Sequence, residues 1–403
     1  MNDFTLESLL RAVDKAALLR LDVRLQPASA DGYVAPPTYA PISKGKGPHV
    51  EFRRGWVDGQ LRDTVVLDSP QSQSNRIEHA LLHARRHGSL PYPDIEITMP
   101  GLPAEPVYSV LQLSHRIFDA TLRACTLNDT SFIDTDIAKS IYAARPENAT
   151  AMFIHAPITL VLGGWDSHGG GGPLVAKLPR VLTSEIVGLD AQPATRSATK
   201  VDPMDIRRMA ALLVRLDGDP RRFDLAPGAE GGGKKSNASP KVYPSELGFG
   251  SVPASGADPV AATISEARQT SVISFTGLRA LRFPDAQGQT SSQRDGAARA
   301  VLAALGLYGL LAQSEAGYLL RSRCELVPVD MKAQLVGGAA EPIGITATSA
   351  RALLGESLAE AQRQGLSWRT EVLRLEADSR LQVLVRNSRA MSVRGEDDDD
   401  ASA

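Results

Sequence analysis

A strand-like run, Thr64-Val65-Val66-Leu67, leads directly into Asp68-Ser69-Pro70-Gln71-Ser72-Gln73-Ser74-Asn75-Arg76-Ile77-Glu78. Ser69 suits an N-cap and Pro70 the first helical position. The spacing predicts a helix from Pro70 to His87, stopped by Gly88. Ile77, Ala80, Leu81 and Ala84 fall at i, i+3, i+4 and i+7 and make one apolar stripe. Arg76, His79, His83 and Arg86 follow a neighbouring stripe. The expected product is a buried seam beside a basic ridge, with a first turn crowded by hydrogen-bonding side chains. A helix start with free N–H groups favours an anion. Such chemistry grips phosphate and breaks no bond.

A length of 403 residues allows one large domain or two to three ordinary ones. Hydrophobic residues at 43% and charged residues at 22% describe a soluble globular chain with ample core. The net charge of -2 hides a polarised distribution, because Glu396-Asp397-Asp398-Asp399-Asp400 supplies five negative charges and leaves the remainder slightly positive. Arginines gather as Arg53-Arg54, Arg85-Arg86, Arg207-Arg208, Arg221-Arg222 and Arg321 with Arg323. Cys125 and Cys324 cannot build a disulfide framework and fit a reducing cytosol. The N-terminal stretch has no signal-peptide core, and no apolar run approaches membrane-spanning length. The expectation is a cytoplasmic protein with no membrane partner.

Along the chain, an amphipathic helix is expected over 5–18, a strand over Leu19–Leu25 and a loop over 26–50 that carries Lys44 and Lys46. Helices are expected over Leu113–Cys125 and Asp136–Ala144, and a buried strand over Ala151–Leu162. A glycine-rich loop fills 163–173, followed by a second run over Leu174–Asp190. Met204–Leu216 reads as a helix, and 225–262 as a flexible insertion with Lys234, Lys235 and Lys241. Ser271–Phe283 reads as a strand bent at Gly277, Asp295–Gln313 as a helix and Gly317–Val329 as a strand. A helix over Ser349–Gln364 and strands over 370–375 and 380–386 complete the pattern. No clean βαβ repeat emerges, so the class is α+β. The last strand–helix–strand set suits half of a ferredoxin-like unit. The layout expected is one domain over 1–395 and an acidic tail over 396–403.

The glycine loop lacks G-x-x-x-x-G-K-[ST] and also lacks a G-x-G-x-x-G helix with its acidic partner. It reads instead as a finger: bases stack on Trp165 while Lys177 and Arg180 follow the backbone. A plain turn with a buried Trp competes with that reading. His79, His83 and His87 recur at i, i+4 and i+8, yet no HExxH, Cys or nearby carboxylate completes a zinc set. Ser184, His168 and Asp166 could form a hydrolase triad, but no G-x-S-x-G elbow exists. Asp134 and Asp136 sit where helix capping accounts for them. Arg321 and Arg323 are expected on one open strand face, with Leu320, Ser322, Cys324 and Leu326 on the other. RRM-like folds meet RNA on such faces. No cofactor, metal site or catalytic residue is expected. The alternative is a nucleotide- or metal-dependent enzyme built on the glycine loop and the His79/His83/His87 face.

Three blocks carry a family resemblance: Leu67 to Glu78, Gly164-Trp165-Asp166-Ser167 with Arg180 to Gly188, and Leu320-Arg321-Ser322-Arg323-Cys324. In order and content they resemble the large, RAMP-type backbone subunit of type I-G (formerly I-U) CRISPR Cascade. The resemblance implies an RRM-like palm with inserted finger and thumb loops. It implies copies aligned in a helical filament along one CRISPR RNA, pairing of that guide with target DNA, contacts to other Cascade subunits, and no enzymatic activity. Sequence would be read by base pairing while protein grips shape and phosphate. The residues expected on the RNA are Gln73, Asn75, Arg76, His79, Trp165, Lys177, Arg180, Ser184, Arg321 and Arg323.

Overall fold

The computed structural model describes residues 2–41, 48–166, 177–195, 201–207, 210–216, 222–226, 241–251, 260–315, 317–337 and 341–394. Outside them lie Lys44 and Lys46, the loop from Ser167 through Pro173, Lys234 and Lys235, and the tail 396–403. The chain divides into two compact units: Met1–Ala194 with Val260–Asp378, and Thr195–Pro259 with Ser379–Ala403.

The first unit is built on a sheet of nine strands among the described residues. They are β1 (Asn2–Asp3), β2 (Leu18–Pro27), β3 (Phe52–Val57), β4 (Gln60–Asp68), β5 (Leu182–Leu189), β6 (Glu266–Ser274), β7 (Tyr318–Arg321), β8 (Cys324–Val336) and β9 (Glu341–Gly344). The order is β1-β9-β8-β2-β6-β5-β4-β3, and β7 pairs with β8 as well. Alternation sets the faces: Leu19, Leu21, Val23 and Leu25 of β2 are buried, while Arg20, Asp22 and Arg24 take the opposite side. Taken in chain order, β2, β5, β6 and β8 stand across the sheet as fourth, first, third, second. Each is antiparallel to its neighbour. Helix α2 (Pro70–Arg86) falls between β2 and β5 in sequence, and α3 (Ser292–Ser314) between β6 and β8.

Helix α3 is the spine of this unit. Every residue from Ala297 to Leu311 is buried, and with Arg299 the one charge among them the helix is buried all round and carries no amphipathic signal. Against the expectation that no apolar run approaches membrane-spanning length, it is long and apolar enough to be a span candidate, yet 89% of its apolar window is buried inside the protein. Gly309 lets α3 approach α2: a Cβ there would stand 2.9 Å from Ile77 and 3.1 Å from Leu81. Helices α1 (Leu6–Lys15) and α4 (Ala347–Arg363) pack along α3. A second sheet in the same unit joins Ile95–Thr98, Val107–Ser109, Cys125–Leu127, Thr130–Ser131 and Leu373–Ala377. In the second unit, Leu213–Arg215 pairs with Phe223–Leu225 and Lys241–Val242, and a helix spans Ser379–Arg394.

The class α+β holds, but several expected elements change type. Ala151–Leu162 forms two short helices, Thr150–His155 and Pro157–Leu162, with Pro157 starting the second. Burial around nearly the whole run erased the helical period. Leu113–Cys125 is a chain of 3₁₀ turns, because Asp119 accepts the N–H groups of His115 and Thr121 and competes with a regular helix. Asp202 does the same for Met204 and Ile206, and the described part of Met204–Leu216 contains a strand at Leu213–Arg215 and no helix. Ser274 caps a short helix, Phe275–Arg279, that ends β6 early. Residues 380–386 are helical: Leu381, Leu384 and Val385 fit i, i+3, i+4 as well as alternation. Gly317–Val329 is a hairpin, not one strand, since Arg323 turns the chain with φ of 61°.

Candidate nucleic-acid interface

The predicted helix start is present: Ser69 caps α2 by accepting the Ser72 N–H, and Pro70 opens the helix. The anion held there belongs to the chain itself. Asp68, at the end of β4, is 0% exposed and accepts hydrogen bonds from Ser72 Oγ at 2.7 Å, Gln73 Nε2 at 2.6 Å and Arg76 Nε at 3.0 Å. Arg321 stands 3.9 Å away. A second layer centres on Gln73 Oε1, which accepts from Ser184 Oγ at 2.9 Å and from Gln269 and Gln313 Nε2, each at 3.0 Å. Ser271 donates to Ser184, and the Tyr318 hydroxyl donates to Gln269. Burial pushes the Tyr318 phenol well up, which keeps it a neutral donor.

All three sequence blocks therefore meet, but inside the protein. Gln73 and Ser184 are buried, against the expectation that they touch RNA. Arg76 spends its guanidinium on Asp68 and the Leu320 carbonyl. Arg321 and Arg323 do not share an open strand face. The Arg321 side chain donates to the Ala35 and Leu67 carbonyls, and Arg323 lies over the Tyr33 ring at 5.8 Å. Arg76 and Arg321 are part-buried and drawn in by the buried Asp68 carboxylate, which must find partners, whereas Arg323 is exposed.

A different group reaches outward. Glu78, on the apolar stripe of α2, is 2% exposed and holds Arg116 by Nε at 2.5 Å and Nη2 at 3.1 Å. Burial raises the Glu78 carboxyl above its usual range, and Arg116 opposes that rise. Arg116 also donates to the Gly163 carbonyl at 3.2 Å, and Arg180 to the Leu162 carbonyl at 3.2 Å. Desolvation, then Arg116, lowers the Arg180 guanidinium from its usual value, while Glu78 opposes. Gly163 adopts φ of 80°, and a Cβ there would lie 3.0 Å from the Arg180 nitrogen. That turn leads into Gly164–Trp165, which pairs antiparallel with Lys177–Leu178 and sets Trp165 opposite Lys177. Trp165 is 59% exposed, with Lys177 Nζ 5.7 Å from its ring centre, so the plain turn with a buried Trp is overturned. Asp166 is held by Arg123 at 2.6 Å.

Asn75, His79, His83 and Arg86 are exposed along the outer side of α2. His83 and His87 stack with ring centres 4.0 Å apart, and His87 Nδ1 lies 2.8 Å from the His83 carbonyl oxygen. Among the described residues no group of three or more His, Cys, Asp or Glu is placed to hold a metal. Ser184 is engaged by Gln73, and Asp166 by Arg123; His168 lies outside the described residues. The open side of the large sheet forms a concavity of about 650 Å³. Its lining sets Arg20, Arg24, Arg268 and Lys332 against Asp22, Asp58, Glu266 and Asp330, with no aromatic ring.

Sequence reasoning missed Asp68, Glu78 and Arg116. Glu78 had a legible signal: it follows Ser74 and precedes Leu82 at i, i+4 spacing on the buried side, where a carboxylate demands a cation. Arg116 had none, since its segment read as a regular helix.

Residues 19–193 match the family model described as CRISPR-associated protein GSU0053. No curated protein matches. Among solved structures, the crystal structure of Thermofilum pendens Csc2 aligns at 9% identity over 94% of this chain and 81% of that chain, with a TM-score of 0.29. Two of the three blocks, including the Asp68 hub and the Trp165 turn, lie inside the matched segment; over residues 19–193 the resemblance of this chain to a CRISPR-associated family is shown.

Proposed function

We propose that the chain is a backbone subunit of a CRISPR Cascade-type complex. It binds guide RNA, supports pairing of that guide with target DNA, lines up with further copies of itself and other subunits, works in the cytoplasm and catalyses nothing. The family match supports the CRISPR context. The observation that carries RNA binding is the exposed Trp165 beside Lys177, on a turn anchored by Arg116 and Arg180. A ring with an adjacent cation suits a base and its phosphate. Asn75 and His79 extend the strip along α2.

The strand order fourth, first, third, second, with a helix in each crossover, supports an RRM-like palm. In this reading a single domain over 1–395 carries 26–50, 163–173 and 225–262 as finger and thumb loops. Among the described residues the concavity on the open sheet face is lined by balanced charge and no aromatic ring, so the RNA path favoured is the Trp165–α2 strip. Gln73, Ser184, Arg76 and Arg321 shape that strip from within.

The test is titration of a labelled single-stranded RNA by filter binding. Arg180→Ala and Trp165→Ala should weaken binding regardless of sequence. Unchanged affinity in both variants would remove the strip from the RNA path.

A further inference from the structure

The two edges of the large sheet are finished differently. On β8, β7 pairs at Tyr318–Leu326 and β9 at Ile343–Ala333, which leaves only a short gap between them. That gap contains Pro328, a bulge at Val329, and the charges of Asp330 and Lys332. Proline, bulges and charge all discourage strand addition. At the other end, β3 (Phe52–Val57, 6 residues) pairs only with β4 among the described residues. It has no proline and its ladder has no register shift. Trp56 is 75% exposed on this edge, across from Leu61 at 43%.

We infer that β3 pairs antiparallel with β3 of a second copy, about a two-fold axis through Gly55, in the absence of RNA. The register follows from the sequence. A two-fold axis perpendicular to the sheet puts residues of equal parity opposite each other on one face. Centring on Arg54 sets two guanidinium groups against each other. Centring on Gly55 sets Trp56 opposite Arg54 of the partner subunit twice, and each ring then meets a cation. A Cβ at Gly55 would meet nothing within 4 Å, so the axis is unobstructed by this chain.

The charge around the edge favours protein over nucleic acid. Arg54 pairs with Asp63, Arg62 with Asp190 and Arg268 with Asp58. Arg54–Asp63 shares the face of Trp56 and the other two pairs lie on the opposite face, so both faces of this edge carry compensated charge beside an apolar anchor, as a protein interface does. The tip is also remote from the Asp68 end of β4, about 3.3 Å per residue along the strand from Leu61. The contact is isologous and needs no guide, so it goes beyond the filament of the proposed function.

The test uses the full chain, stripped of nucleic acid. Light scattering after gel filtration should show a concentration-dependent dimer whose dissociation constant rises roughly tenfold or more in Trp56→Ala. The second measurement is symmetric cross-linking. Across a two-fold axis, position 55 meets itself at about 4.5–5.5 Å, within disulfide reach. Both native cysteines are buried. Mild oxidation of Gly55→Cys should give a covalent dimer, and Val57→Cys should not. A monomer at every concentration, equal cross-linking at both positions, or loss of RNA affinity in Trp56→Ala with the dimer unchanged would each overturn the inference.

Discussion

Around Asp68 and around Trp165 the chain treats polar side chains in opposite ways. At Asp68 the polar side chains converge inward: a buried carboxylate takes three hydrogen bonds and one glutamine oxygen takes three more. At Trp165 the supports are turned inward, Glu78 with Arg116 and Asp166 with Arg123, while the ring and the Lys177 ammonium face solvent. A motif dense in Ser, Gln, Asn and Arg is therefore not by itself a binding surface. It can equally be the polar knot that fixes where a binding surface stands.

The contrast breaks most readily at the knot. Asp68→Ala leaves Arg76 and Arg321 without their carboxylate and should lower folding stability by about 3–5 kcal/mol, measured by denaturant titration. Asp68→Asn should recover part of that loss. Retained stability in Asp68→Ala would show that the knot is dispensable. On the outer side, Trp165→Ala should cost RNA binding about 1–3 kcal/mol per base stacked, with the melting temperature unmoved. A large fall in melting temperature would move Trp165 to the structural side of the contrast. Lys177→Ala should flatten the dependence of log affinity on log salt by roughly 0.7 for one lost phosphate contact on a single strand.

The smallest effect concerns pH. Burial, with Arg369 adding, lowers His155 from 6.5 to about 4. The folded protein then holds fewer protons than the unfolded chain between those values. Stability should be full above the unfolded value and fall as pH drops from 6.5 toward about 4. Because His155 is only part-buried, the loss is on the order of 1 kcal/mol after screening is allowed for. His155→Gln should flatten the acid limb of a thermal-melt series. An unchanged limb would place the acid sensitivity elsewhere.

Much of the frame was legible because its signals are local. Ser69-Pro70 opens α2, alternation marks β2, and the Ala-Leu run marks α3. The run 151–162 was not legible, because full burial removes the period that separates helix from strand. The turn at Arg323 was missed because a non-glycine φ of 61° leaves no sequence mark. The site divides along the same line. Trp165 and Lys177 stand apart as an exposed pair, as the glycine turn suggested. The fates of Gln73 and Ser184 depended on partners more than 80 residues away, Gln269 among them, and no local pattern encodes such a contact.

The most direct measurement is a salt-dependent titration of single-stranded RNA with the wild-type chain and a Trp165→Ala/Lys177→Ala double variant, each checked by thermal melting. Weaker binding, a shallower salt slope and an unchanged melt in the variant are the expected results. Identical affinity and slope would contradict the assignment of this strip to RNA.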